Sequence, residues 1–434
     1  MILLLLSLLA ALPAHAEKIT LKDAIERALL QNAELRAQGM QIRQAEQDVR
    51  RVSGEFGPRF EALGGIGPIT RATGNVTNST EEKGSIGRML IGKFSLTQPL
   101  FSWGRKGNYT NAAMAAVNVE EAEFSGKEED VRFQVKEAYH GFQLANSLRD
   151  FIEGGKAELT KALEKRGKRR KETKDDYKLA IFLSEVESRE AELKKYYELA
   201  REGLALRLGM ERGTVEAKEE WLIAETRERK PVSDYLVLAR GHRAEFRQLG
   251  EGIFAKRSLA KGEKKSVLPV LVFLASYELA DTNVRPQQPG VFAYDPYNKE
   301  SWALGVGFKL DFQWTLQDAK ASKLNAEALE LEAKEVFAKR GIEVEVRKAY
   351  LELEEAESRL SAAKSAYNTG KKWLTGEIIG FSSGLAGSEG LVEAYGARAE
   401  TTKNYFEAVY RHHLAWATLS KAVGLEVDPL LTSL

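Results

Sequence analysis

The sequence predicts an α+β membrane protein. The expected architecture is a membrane β-barrel assembled from several chains, four strands from each and about twelve if three join, continued by long packed α-helices and built on an internal two-fold repeat. Three observations lead there. The N-terminus reads as an export signal, the landmarks of the chain occur twice at near-constant spacing, and each half joins an extended, alternating stretch to a proline-free helical stretch. Composition narrows the field further. The chain has 434 residues, a formal net charge of +1, 29% charged residues and no cysteine. Without cysteine there is no disulfide framework, no thiolate catalysis and no Cys-based zinc or iron–sulfur site. The charge balance gives no whole-chain reason for a nucleic-acid partner. A mean hydropathy of -0.35 excludes a helical membrane bundle. It leaves a membrane β-barrel open, because alternating strands average out in hydropathy.

Residues 1–16 are expected to be a signal peptide. Met1 to Leu12 is apolar apart from Ser7, and Pro13-Ala14-His15-Ala16 follows, with small residues where a signal peptidase reads. Cleavage is expected before Glu17. A transmembrane anchor would need roughly 20 apolar residues. No Lys or Arg precedes the run, and no Cys follows to carry a lipid on the mature chain.

The repeat is read from four pairs of landmarks. Phe94-Ser-Leu-Thr-Gln-Pro-Leu-Phe101 parallels Phe308-Lys-Leu-Asp-Phe-Gln-Trp-Thr315, and Asn111-Ala112 parallels Asn325-Ala326. Val135-Lys-Glu-Ala-Tyr139 parallels Val346-Arg-Lys-Ala-Tyr350, and the ends at Gly209 and Gly424 match. The expected divisions are a first repeat over 17–224 with a strand pair at about 58–103, a linker at 225–233, a second repeat over 234–425 with a strand pair at about 267–316, and a tail at 426–434.

Each half reads as helix, strand pair, very long helix, returning helix. Helical periodicity covers Leu21 to Arg51, opened by Thr20 with Asp23 in the first turn, and again Asp234 to Ala260. Pro58 and Pro269 end these helices and open extended chain. Polar, turn-rich loops are expected at Thr70 to Lys83 and at Asp281 to Lys299. The clearest strand runs from Trp302 to Trp314. One face carries Trp302, Leu304, Val306, Phe308, Leu310, Phe312 and Trp314, and is expected to face lipid. The other includes Lys309, Asp311 and Gln313, and is expected to face a lumen. A transmembrane strand needs about 9–11 residues, an apolar outer face and aromatic girdles. The competing reading is a soluble sandwich strand, and the export signal and the repeat favour the membrane. The long helices are expected from Gly107 to about Lys165 and from Gln317 to about Tyr367. The returning ones are expected at Asp176 to Leu208 and Leu391 to Val423. Helices this long must pack along partners. Four strands cannot close a barrel, for which eight is about the minimum, so several chains must join.

These landmarks, with Leu29-Leu-Gln-Asn-Ala-Glu-Leu35, Ala138-Tyr139 and Ala349-Tyr350, resemble the TolC-like outer-membrane efflux family over essentially the whole mature chain. The resemblance implies a homotrimer in the outer membrane, extending into the periplasm as a helical tunnel. It implies a passive exit duct of a tripartite efflux or type I secretion system, partnered by a periplasmic adaptor (membrane fusion) protein and an inner-membrane pump, with no cofactor. It also implies that the short opening helix stacks end to end on the returning helix. A non-transporting periplasmic coiled-coil scaffold is the alternative.

In the family an acidic residue follows the tip turn, four residues before an Ala. Asp176 with Ala180 fits that pattern, and Asp175 adjoins it. Gly390 stands at the matching place before Ala394, flanked by Glu389 and Glu393. Arg169 and Arg170, within the basic block Lys165 to Lys171, are candidates to pair with Asp175 or Asp176 and hold the tip shut. The plainer reading is a solvated charge run. The glycines from Lys371 to Gly387 suggest a more open second tip than the family's tight turn.

Enzyme readings are set aside. Gly380-Phe-Ser-Ser-Gly384 matches a nucleophile-elbow pattern but lies among long helices rather than in a doubly wound sheet. His412 and His413 are adjacent, so on a helix they point about 100° apart and cannot share a metal. His140 and His242 are isolated, and no phosphate-binding loop is present.

Overall fold

A computed structural model of the chain describes residues 17–75, 78–165, 174–211, 213–218, 221–225, 227–288, 294–383, 385 and 387–432. The elements in order are β1 (Glu17–Ile19), α1 (Leu21–Gln31), α2 (Ala33–Glu55), β2 (Arg59–Asn75), β3 (Asn78–Phe101), α3 (Arg105–Lys165), α4 (Lys174–Arg207) and β4 (Val215–Ala217). They continue as α5 (Val232–His242), α6 (Ala244–Lys265), β5 (Val270–Thr282), β6 (Lys299–Lys309), α7 (Trp314–Ser382), α8 (Ser388–Val423) and α9 (Pro429–Thr432). The sequence of two short helices, two strands, a very long helix and a returning helix thus occurs twice. Among the described residues no helix is long and apolar enough to cross a membrane.

The chain forms two compact units. One comprises residues up to Met40, Ala122–Arg247 and Val336–Leu434; the other comprises Gln41–Glu121 and Gln248–Glu335. The second unit holds one antiparallel sheet in the order β2-β3-β5-β6. Among the described residues its outer strands, β2 and β6, are each paired on one side only. The first hairpin is longer than the polar sequence suggests, since β2 continues to Asn75 and β3 begins at Asn78, with a register shift at Thr70/Arg71. Backbone pairing does not require alternating side chains, so the loop expected from Thr70 to Lys83 is mostly strand. The second hairpin opens where expected, from Thr282 to Lys299. Asp295 organises this connection by accepting backbone N–H groups from Gln288, Tyr297 and Asn298.

The strand expected to reach Trp314 stops at Lys309, and Trp314 is the first residue of α7. The partner strand sets this limit. Lys309 pairs with Val270, the first residue of β5, and Pro269 before it has no backbone N–H to continue the ladder. Leu310, Phe312, Asp311 and Gln313 therefore lie beyond the sheet, in the four-residue joint to α7.

In the other unit two equivalent cores mark the repeat. The first joins Ile25 and Ala28 of α1 to Val135 and Tyr139 of α3, Leu204 of α4 and Val215 of β4. The second joins Tyr235 and Ala239 of α5 to Val346, Ala349 and Leu353 of α7 and Trp416 and Leu419 of α8. The landmark Tyr139 is buried, and its hydroxyl donates to the Ile19 carbonyl at 3.0 Å. The α1 start is capped as expected, with the Asp23 N–H donating to Thr20 Oγ1 at 3.2 Å.

The opening helices are not single. Asn32 breaks α1 from α2, and Arg243 breaks α5 from α6. The glycine ending each returning helix lies at the matching break. Gly209 (φ 65°) abuts Gln31, and Gly424 (φ 74°) abuts His242 and Arg243, where a Cβ would come within 3.0 Å of the His242 carbonyl oxygen. Only glycine adopts this conformation at so close an approach without strain.

The glycine-rich stretch expected to loop is helical. α7 runs on through Gly376 and Gly380 to Ser382, giving 69 residues or roughly 100 Å. Helical glycine costs about 1 kcal/mol against alanine, and Leu374 and Phe381, packed against Leu159, Leu179 and Leu391, hold this stretch in the helix. A Cβ at Gly370 would lie 2.6 Å from Thr401 Oγ1 of α8, so the close pairing of these helices requires the missing side chain.

Candidate functional site

The sheet has two chemically distinct faces. Cross-strand register places Phe94, Tyr277 and Trp302 in one row, with Leu96, Ala275 and Leu304 in the next. Phe273 pairs with Val306, and Leu271 with Phe308, on the same face. Phe60, opposite Leu96, extends it onto β2. These side chains stand open in the single chain, with Trp302 74% and Phe308 71% exposed. The other face is the more polar one, with small and charged side chains beside a few aliphatic ones such as Val272 and Leu274. Its rows are Lys93, Glu278 and Ser301, then Ser95, Ser276 and Ala303, then Thr97, Leu274 and Gly305. Glu278 bridges Lys93 at 3.1 Å and also pairs with Lys299. Lys309 lies on this face, opposite Val270.

Aromatic residues gather where strands give way to helices. Trp103 holds a positive φ of 55° in the joint from β3 to α3 and donates its indole N–H to the Pro269 carbonyl at 2.7 Å. Its ring meets Phe101 edge-on at 5.0 Å. Phe312 and Trp314, at 6.4 Å, form the comparable pair before α7, and all three of Leu310, Phe312 and Trp314 are exposed. Trp103 was not singled out in the sequence, although a Trp two residues past the end of an apolar strand carries the same signal as Trp314.

At the ends of the long helices, Leu159, Leu179 and Leu391 form a small buried core with Leu374, Phe381 and Tyr395 around it. Asp175 and Asp176 lie in the first turn of α4, while Arg169 and Arg170 lie outside the described residues. Glu389, in the first turn of α8, pairs with Lys178 of α4 at 3.2 Å. Glu393 is exposed one turn later. The acid absent at Gly390 has a counterpart that sequence reasoning missed: a Cβ at Gly390 would lie 2.8 Å from Glu377 Oε2 of α7. Ser382 is the last residue of α7, and among the described residues the sheets are one of two strands and one of four antiparallel strands, neither doubly wound.

The linker between the repeats is held by a buried polar cluster. His140 of α3 and His413 of α8 stack with ring centroids 4.3 Å apart. Arg227 Nη2 lies 2.9 Å from His413 Nδ1, and His413 Nε2 lies 3.0 Å from the Ile223 carbonyl oxygen. A carbonyl only accepts, so Nε2 carries the proton and Nδ1 accepts from Arg227. Arg227 also pairs with Asp428 at 2.8 Å, both side chains being nearly buried. Burial pushes His413 down to about 2, with the neighbouring His140 and Arg227 adding to the shift. Burial likewise lowers His140 to about 4 and His412 to about 4. Among the described residues no three His, Cys, Asp or Glu side chains converge as a metal site.

Comparison with known proteins agrees with this architecture. Residues 24–170 match the family model described as outer membrane efflux protein. The Campylobacter jejuni CmeC outer membrane channel superposes with a TM-score of 0.73 at 14% identity, covering 98% of this chain and 93% of that one. The Neisseria gonorrhoeae MtrE outer membrane channel in its open state gives 0.71 at 15% identity, covering 94% and 89%. The Vibrio cholerae outer membrane protein VceC gives 0.70 at 14% identity, covering 94% and 97%. Comparison with curated protein sequences gives no match. Residues 24–170 thus match the outer membrane efflux protein model, and the chain as a whole shares the fold of the outer membrane channels on which it superposes.

Proposed function

We propose that the chain is the outer-membrane exit duct of a tripartite efflux or type I secretion system. Three copies close one barrel, and cargo passes through it from a periplasmic adaptor and an inner-membrane pump. The observation that carries this reading is the four-stranded sheet with one apolar and one polar face and two half-paired edges. An open edge of this length invites another strand, and about eight strands are the least that close a barrel. Three chains supply about twelve. On this reading Trp302, Leu304, Val306 and Phe308 face lipid, and Leu310, Phe312 and Trp314 continue the aromatic belt at the membrane boundary. Lys309, Asp311 and Gln313 then stand at the lumenal rim. The relatives' description as outer membrane channels supports the same assignment.

On this reading the periplasmic tip lies where Asp175 and Asp176 open α4 and Glu389 and Glu393 open α8, and these acids form the constriction; Arg169 and Arg170, their candidate partners, lie outside the described residues. Energy comes from the pump, and cargo crosses without chemistry on this chain. Purified protein incorporated in a planar bilayer is expected to give stepwise single-channel conductance, with cross-linking that stops at three chains. A water-soluble monomer that never conducts would instead favour the scaffold.

A further inference from the structure

The two repeats are joined by a strap that touches three of the four long helices in its unit. Leu222 is buried, and its N–H donates to Ser147 Oγ of α3 at 3.1 Å. Arg229 reaches Glu357 of α7 at 3.3 Å and lies over the Tyr350 ring at 4.5 Å. Between these anchors the strap meets α8 through His413, which binds it twice, at Arg227 and at the Ile223 carbonyl. A proton on Nδ1 has no place in that arrangement. It would displace the Arg227 N–H that Nδ1 accepts, and would set an imidazolium against a guanidinium.

We propose that His413, stacked on His140, is a proton-sensitive latch that fastens the linker between the repeats only while its imidazole is neutral. Among the described residues the carboxylates nearby are already engaged. From α3 the facing groups are His140 and Lys136, and from α8 the neighbour is His412. From the strap they are Arg227 and Glu225, the carboxylate lying 3.6 Å from Arg227. From the C-terminal segment Asp428 is engaged by Arg227, while Glu426 is engaged by Lys136 and by the Ser420 hydroxyl. Every nearby acid already serves another cation or donor, so a proton on the stack is relieved by separating the strap from α8. The buried, downshifted imidazoles described above are the expected electrostatic counterpart of that geometry. Acid therefore loosens the segment that ties the two repeats together, and leaves the sheet in the other unit untouched.

The test is hydrogen–deuterium exchange on the full chain in detergent, with rates corrected for the intrinsic pH dependence of exchange. In the unaltered protein the peptide over 221–231 is expected to exchange roughly tenfold faster or more at about pH 4 than at about pH 7. The β5 peptide should not change. His413→Gln keeps one acceptor and one donor but cannot titrate, and is expected to protect the strap equally at both pH values. A flat unaltered protein, or a step that survives in His413→Gln, overturns the latch. Should that variant not assemble, Arg227→Gln replaces it. Loss of the neighbouring cation eases protonation and should move the step toward neutral pH, whereas an unmoved midpoint overturns the proposal.

Discussion

Asn32 and Arg243 adopt the same backbone conformation, φ −63° and ψ 126° in one and φ −64° and ψ 125° in the other. Each ends the first opening helix of its repeat with an extended residue, and each N–H still bonds back into that helix, to Ala28 and Ala239. The geometry is repeated but the chemistry that fixes it is not. Asn32 Oδ1 caps α2, accepting from Glu34 and Leu35 at 2.8 and 3.1 Å. Arg243 instead reaches across to the end of α8, donating to the Lys421 and Ala422 carbonyls, and pairs with Glu245 and Glu345.

The two breaks should therefore differ in cost. Asn32→Ala removes one capping side chain and is expected to destabilise by about 1 kcal/mol. Arg243→Ala leaves two carboxylates and two helix-end carbonyls without their donor, at a partly buried site, for about 2–4 kcal/mol. Guanidinium unfolding of the detergent-solubilised protein measures both. Equal losses would mean that Arg243 does not hold α8.

Much of the fold was legible because it rests on local signals. Doubled landmarks gave the repeat, and period-two alternation gave the faces of β6. What stayed hidden was decided by distant partners. Neither Asn32 nor Arg243 is a glycine or proline, and helical periodicity resumes directly after each. The alternation from Trp302 to Trp314 is a property of the side chains and not of the hydrogen-bond ladder, so it continues past Lys309, where the hydrogen-bonding partner ends. Gly376 and Gly380 read as a loop because intrinsic propensity ignores the packing of Leu374 and Phe381 against Leu159, Leu179 and Leu391. At the linker, His412 and His413 point about 100° apart on their helix, and the local sequence gives His413 no partner. Its neighbour is His140, from the other repeat, and nothing in the local sequence joins them.

Stability should fall in acid over a defined window. Burial lowers His140 from 6.5 to about 4. Between those values the unfolded chain takes a proton that the native chain refuses, so stability is intact above the upper value and declines as pH falls toward the lower one. The slope is about 1.4 kcal/mol per pH unit for each such group, on the order of 3 kcal/mol across the window. His140→Gln should flatten the curve by one proton's slope, read from unfolding midpoints at a series of pH values. An unchanged slope would show that His140 is charged in the native state or exposed to water.

The tip admits a sharper test than stability. The Lys178–Glu389 pair is solvent-exposed at the glutamate, and such pairs contribute roughly 0–1 kcal/mol, so Glu389→Gln should barely move unfolding. In a planar bilayer, by contrast, Asp176→Ala should shift the reversal potential toward lower cation selectivity, because an acidic ring concentrates cations at a constriction. Glu389→Gln should do the same if α8 contributes to that ring. An unchanged reversal potential in both variants would move the constriction elsewhere, with Glu377 the next acid to replace.

The faces of the sheet give the most decisive contrast, because one strand carries both. Val306→Arg places a charge on the face expected to meet lipid, where arginine costs about 2–4 kcal/mol at mid-depth. It should reduce assembled, heat-resistant oligomer in the membrane fraction. Ala303→Arg sits on the opposite face in the row of Ser95 and Ser276. It should assemble normally, lower the unitary conductance and shift selectivity toward anions. A soluble sandwich would bury one of the two faces and expose the other to water, so neither variant would alter conductance. If Ala303→Arg abolished assembly while Val306→Arg conducted normally, the polar face would be the one packed against apolar surroundings, and the barrel would have to be turned inside out.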